Sequence, residues 1–122
     1  MSDEIVRPDP VGLSHIGISV TDLDRSVAFY CDVLGGVVLQ PPAQGKSTSS
    51  KWRMALVALG SLGLDIYQHT ANGGEDFAPS HTGLDHVGFA VASRDDLESW
   101  ARWLDSRGVE RSEIRDVGAG DL

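Results

Sequence analysis

The sequence predicts an α+β fold, and three observations carry that expectation. Strand-like and helical periodicities follow one another in the order strand, helix, strands, then strand and helix again. One pattern also recurs 71 residues after it first occurs. Leu13-Ser-His-Ile-Gly-Ile-Ser-Val20 and Leu84-Asp-His-Val-Gly-Phe-Ala-Val91 share leucine, histidine, glycine and valine at matching places. Finally, 122 residues with 41% apolar and 23% charged side chains suit one domain with a buried core.

The elements follow in order. Residues 1–12 hold two prolines and few apolar side chains, which reads as a flexible N-terminal tail. Leu13–Val20 is short and rich in β-branched residues, so it reads as a strand. Thr21 and Asp22 can cap a helix by accepting its free N–H groups. Leu23, Val27, Tyr30, Val33 and Leu34 then recur at helical spacing, and Gly35-Gly36 ends the helix. Val37–Leu39 reads as a short strand. Gln40–Lys51, with Pro-Pro, Gly and a Ser/Thr cluster, reads as a flexible loop. Trp52–Leu59 and Leu64–His69 read as strands around a turn at Gly60–Gly63. Thr70–Thr82 reads as a link, and Leu84–Val91 as the strand of a second unit. Ser93 caps a second helix with a stripe of Leu97, Trp100, Ala101 and Leu104, ended by Gly108.

Two units follow, a first module at 13–70 and a second at 84–122 within one domain at 13–122. The second stops soon after its helix. Three explanations remain open: a truncated product, strands supplied by a partner, or a degenerate second half.

Composition narrows the function classes. Ten basic against 18 acidic side chains give a net charge of −8, so a phosphate backbone is repelled and no nucleic-acid partner is expected. No apolar run approaches the roughly 20 residues that cross a bilayer, so no membrane partner is expected. The start of the chain lacks a signal-peptide pattern. The single cysteine, Cys31, cannot form an internal disulfide and reads as an inert thiol near a helix stripe. These features point to a cytoplasmic protein.

Strand alternation then separates two faces. Ile16, Ile18 and Val20 make a bulky face suited to a covering helix. His15, Gly17 and Ser19 make the other, where small residues leave room, as in a cleft wall. The second repeat sorts likewise: Val87, Phe89 and Val91 oppose His86, Gly88 and Ala90. In Leu64–His69, Asp65, Tyr67 and His69 share a side. A carboxylate within an apolar strand is costly to bury unless paired or metal-bound. If Asp65 turns toward the cleft with His15 and His86, two imidazoles and a carboxylate form a set suited to a divalent transition metal with open positions. Taken singly, each has a plainer reading: His15 as a strand-end or core histidine, Asp65 as a solvated strand residue. Trp100 and Trp103 read as helix packing, and Trp52 as facing either ligand or core.

The stretch His15-Ile-Gly-Ile-Ser-Val-Thr-Asp-Leu-Asp-Arg-Ser-Val-Ala-Phe-Tyr-Cys-Asp-Val-Leu-Gly-Gly36 closely resembles the opening module of the vicinal oxygen chelate superfamily, and Leu84–Val91 resembles the start of its second. That superfamily includes glyoxalase I, extradiol dioxygenases, fosfomycin-resistance enzymes and bleomycin-resistance proteins. The resemblance implies paired βαβββ modules forming a curled mixed sheet around a cleft, here with the second module truncated. It implies metal ligands at His15, Asp65 and His86. Aspartate is one methylene shorter than the Glu or Gln usual at that place. The usual fourth ligand, a glutamate on the last strand, has no counterpart in this sequence.

The function so implied is a metal-dependent small-molecule enzyme of isomerase, lyase or dioxygenase type. A divalent ion (Zn, Fe, Mn or Ni) would chelate neighbouring substrate oxygens as a Lewis acid. Tyr67 and His69 are candidates for substrate contact or proton transfer. The alternative is a metal-free, bleomycin-resistance-type protein that sequesters a small molecule on Trp52, Tyr67 and Trp100. Either way a homodimer is expected, because a partner chain would cover the strand edges left open.

Overall fold

In the computed structural model, which describes residues 4–116, strand β1 (His15–Ser19) leads into helix α1 (Leu23–Asp32). Strands β2 (Val37–Lys46), β3 (Lys51–Leu59) and β4 (Leu62–His69) follow, then helix α2 (Arg94–Ser106). The fold is of the α+β class. The four strands form one mixed sheet in the order β1-β4-β3-β2. β2, β3 and β4 are an antiparallel meander, and β1 joins β4 in parallel. Consecutive strands β1 and β2 thus lie at opposite edges. The connection between them must cross the sheet, and α1 is that connection.

Helix α1 starts where Asp22, in extended conformation, accepts from Arg25 N at 3.1 Å. A second free donor of the first turn, Leu23 N, bonds the side-chain oxygen of Gln68 on β4 at 2.8 Å. At the other end Gly35 adopts φ +76°, and Gly36 N donates to Tyr30 O at 2.9 Å. Gly36 must be small as well, because a Cβ there would lie 2.6 Å from Val57 Cγ1.

The core of this unit lies between α1 and the sheet. Leu23, Ala55, Val57, Leu64 and Ile66 are buried, and Ile16, Ile18, Val20, Val27, Tyr30, Cys31 and Leu59 pack against them. Each fully buried aliphatic side chain contributes about 1.5–3 kcal/mol. Burial also raises the Tyr30 phenol above its ordinary pKa.

Two expectations are corrected. Gln40–Lys51 is mostly not a loop: β2 runs on to Lys46 and only residues 47–50 turn. Pro41 and Pro42 are tolerated because β2 is an edge strand, with one side of its backbone free of ladder bonds. The register shifts between Val38 and Gln40 and between Gln40 and Ala43 absorb them. Leu84–Val91, in turn, forms no strand. A strand exists only through ladder bonds to a neighbour, and this segment has none among the described residues, so its alternation of apolar side chains stays exposed (Val87, Phe89, Val91).

The chain divides into two compact units, the first ending at Glu75 and the second beginning at Asp76. In the second unit Ser93 caps α2 by accepting from Asp96 N at 3.1 Å. Ala101 is buried, Trp100 and Leu104 are half-buried, and Leu97 and Trp103 are exposed. Arg107 lies over the Trp103 ring, 5.4 Å from its centroid. Residues 117–122, which hold the end of the expected second module, lie outside the described residues.

Candidate functional site

Cross-strand register sorts the side chains of the first unit. β1 and β4 pair His15 with Gly63, Gly17 with Asp65 and Ser19 with Tyr67. β3 and β4 pair Leu56 with Asp65, Met54 with Tyr67 and Trp52 with His69. Directly paired residues share a face. His15, Asp65, Tyr67, His69, Trp52, Met54 and Leu56 therefore lie on the face away from α1, while Ile16, Ile18, Leu64 and Ile66 face the helix. His15 and Asp65 are diagonal neighbours on adjacent strands, a relation that sets side chains about 7–8 Å apart at their base.

Small residues surround that pair. Gly63 stands opposite His15, and a Cβ there would meet the His15 Cβ at 3.2 Å. Gly17, opposite Asp65, leaves open space up to the Tyr67 ring, whose Cε2 is 4.0 Å from where a Cβ would be. The rings beyond form a shelf: Tyr67 and His69 stack at 5.5 Å with 11° between planes, and Trp52 meets both edge-on at 6.0 and 6.1 Å. Trp52 in turn lies against the backbone of its cross-strand partner Gly45, with Cε2 only 2.8 Å from where a Cβ would be.

The donor atoms fit a divalent metal in kind. His15 Nδ1 is 3.1 Å from Ser14 Oγ, which leaves Nε2 open. Asp65 is half-buried and has no hydrogen bond or ion pair among the described residues. His86 belongs to the second unit, where its side chain is 85% exposed. Its Nδ1 lies 2.7 Å from Asp85 Oδ1. A carboxylate accepts, so Nδ1 is the donor in this contact, and a carboxylate partner of this kind orients the ring of a metal-ligating histidine. Among the described residues no three His, Cys, Asp or Glu side chains gather closely enough to hold a metal. The structure thus brings His15 and Asp65 to one face of the first unit, while His86 belongs to the second.

The sequence reading overlooked a second feature. A groove of about 610 Å³ lies where β2, β3 and β4 run past the start of α1, and Gln44, Lys46, Lys51, Arg53, Gln68 and Asn72 are among its lining residues. Arg53 bonds Asp24 of α1 at 3.3 Å and Gln68 bonds Leu23, so these side chains are on the helix side. A signal was present: the chain has two lysines, five positions apart, flanking a turn.

No helix is long and apolar enough to cross a membrane among the described residues. Comparison with known proteins then adds the family. Residues 12–121 match the family model described as Glyoxalase/Bleomycin resistance protein/Dioxygenase superfamily. The uncharacterized protein YaeR of Escherichia coli (strain K12) is 32% identical over 101 residues, covering 83% of this chain and 74% of that protein. Metallothiol transferase FosB of Staphylococcus epidermidis is 30% identical over 105 residues, covering 86% of this chain and 66% of FosB. A solved glyoxylase/bleomycin resistance protein/dioxygenase domain from Frankia sp. EAN1pec is 28% identical with a TM-score of 0.64, covering 82% of this chain and 71% of that one. With a sheet, helix and repeat of this order, and a family match spanning nearly all its length, the chain belongs to the Glyoxalase/Bleomycin resistance protein/Dioxygenase superfamily.

Proposed function

We propose that the protein is a metal-dependent enzyme acting on a small molecule with neighbouring oxygens, with His15, Asp65 and His86 as ligands. The observation that carries this reading is the half-buried, unpartnered Asp65 carboxylate diagonal to the open Nε2 edge of His15. The name of its relative FosB, a metallothiol transferase, supports a metal-linked activity. A divalent ion there supplies Lewis acidity toward two substrate oxygens.

The chain's own residues do the rest. His15 and Asp65 bring one neutral and one negative donor to the same side of the sheet. Gly17 and Gly63 keep the space beside them open. Trp52 and the stacked Tyr67–His69 pair offer an apolar wall that holds a flat or apolar substrate portion and keeps water off it. The phenol of Tyr67 and the imidazole of His69 are the groups able to hold or move a proton at the substrate. Zinc, iron, manganese or nickel suits two imidazoles better than magnesium or calcium does. We place the protein in the cytoplasm and expect it to act as a homodimer.

The aromatic wall also supports a second reading, sequestration of a small molecule without a metal. Metal analysis separates the two. The protein purified with excess transition metal should carry close to one equivalent, and His15→Ala, Asp65→Ala and His86→Ala should each reduce it. Less than about a tenth of an equivalent in the unaltered protein refutes the enzyme reading, because such a ligand set binds tightly.

A further inference from the structure

The groove beside the ends of β2, β3 and β4 is bordered by Trp52 and His69 but also gathers cationic side chains from the helix side, which the surroundings of His15 and Asp65 lack. Among the described residues ten line it and none of these is acidic, although the chain carries 18 acidic side chains. Both lysines of the chain line it. Lys46 and Lys51 are directly opposite one another in the β2–β3 register. Like charges in that relation repel, and a strand pair gains nothing from them unless an anion sits between. Neither lysine forms an ion pair among the described residues.

The remaining polar groups add donors. Gln68 uses its oxygen to accept from Leu23 N, so its NH2 is what it has left to offer. Asn72 accepts from Gly74 N at 2.8 Å and donates one amide hydrogen to Val20 O at 3.5 Å, which leaves it a single further N–H. Arg53 holds Asp24 at 3.3 Å, and its guanidinium has further N–H groups. A volume of about 610 Å³ falls in the range of small-ligand sites. The geometry points to a binding site for a phosphate-type dianion, free or as a small monoester, held between Lys46 and Lys51 with Gln68 as a third donor. Two ammonium groups from one cross-strand pair converge on a single compact dianion better than on the separated charges of a dicarboxylate. Register puts Lys46, Lys51 and Gln68 on the helix side of the sheet, opposite His15 and Asp65, while Trp52 and His69 of the other side also border the groove.

The test is a titration of the intact protein with inorganic phosphate and, separately, glycerol phosphate, at ionic strength held constant with chloride and followed by amide NMR. Saturable shifts should appear at Lys46, Lys51 and the Gln68 side chain with dissociation constants on the order of 1 mM. The paired change K46Q/K51Q should weaken binding at least about tenfold, and K46R/K51R should keep it within about threefold. Tighter binding of the monoester identifies an ester as the ligand, and equal binding identifies free phosphate. Because removing a like-charge pair does not harm the sheet, K46Q/K51Q should stay folded, and the same spectra report that. The proposal is overturned by shifts that do not saturate by about 10 mM. It is overturned equally by unchanged binding in K46Q/K51Q, or by shifts confined to His15, Asp65 and Tyr67.

Discussion

Replacing Gln68 by leucine removes the acceptor that β4 extends to the first turn of α1. Leu23 N donates to Gln68 Oε1 at 2.8 Å, and the Leu23 residue itself is 0% exposed. Water therefore has no easy path to the orphaned N–H, and the loss should approach the full cost of an unsatisfied buried donor, about 1–3 kcal/mol. A loss of about 2 kcal/mol is roughly a thirtyfold change in the folded-to-unfolded ratio. Gln68→Glu keeps an acceptor and adds negative charge at a helix N-terminus, which is favourable there, so it should cost little. Urea unfolding in a Trp100→Phe/Trp103→Phe background reads the sheet alone, because Trp52 is then the remaining indole. The reasoning fails if Gln68→Leu unfolds within about 0.5 kcal/mol of the parent, the ordinary range of a surface change. It also fails if Gln68→Glu is as damaging as Gln68→Leu.

Three further outcomes are expected. Gly36→Ala should destabilise by about 1–3 kcal/mol in the same unfolding assay, because its methyl collides with Val57 and the carbonyl of Tyr30. Burial holds the Tyr30 phenol neutral, raising its pKa above 10.0. That contribution to stability is complete below the unfolded value and is lost as pH rises through the folded one, so melting temperature should fall more steeply above pH 10 in the parent than in Tyr30→Phe. Arg111 bonds Asp105 through two contacts at 2.9 Å and lowers its pKa below the ordinary carboxylate value. Arg111→Ala should move the Asp105 titration back upward in a carboxyl NMR series. Both groups are exposed, so stability between pH 3 and 7 should hardly change.

What could be read from the sequence depended on how local the signal was. Asp22, Ser93 and the glycines after α1 and α2 act within a turn of where they stand, and both helices start at those caps. Period-2 alternation over His15–Val20 and Leu64–His69 separated a helix-facing side from an open one, because each of those strands has a neighbour to fix its pleat. The same alternation in Leu84–Val91 misled, since pattern alone does not supply a strand partner. Gln40–Lys46 misled in the opposite sense. Pro41 and Pro42 look like loop residues, and only the strand order and the register shift between Gln40 and Ala43 show how β2 accommodates their missing donors. The Gln68 bond to α1, 45 residues away in sequence, had no local signature at all.

The fold gives one sheet two polar neighbourhoods of different sign. Strand alternation alone sends Asp65, Tyr67 and His69 to one side and Gln68 to the other, and β3 likewise sends Trp52 one way and Lys51 and Arg53 the other. Helix α1 covers only part of its side, because its N-terminus is pinned by Gln68 and Asp22 before the strands end. The uncovered strand ends must then be polar, and they carry the chain's lysines. The open face is free of the helix and keeps its half-buried carboxylate unpaired. A change that slides β4 by one residue would exchange these sides at a stroke, moving Asp65 into the core beneath α1 and Leu64 and Ile66 into solvent. The Gln68–Leu23 bond works against such a slip by tying the β4 register to the helix, so its loss should loosen the candidate metal face and the cationic groove together.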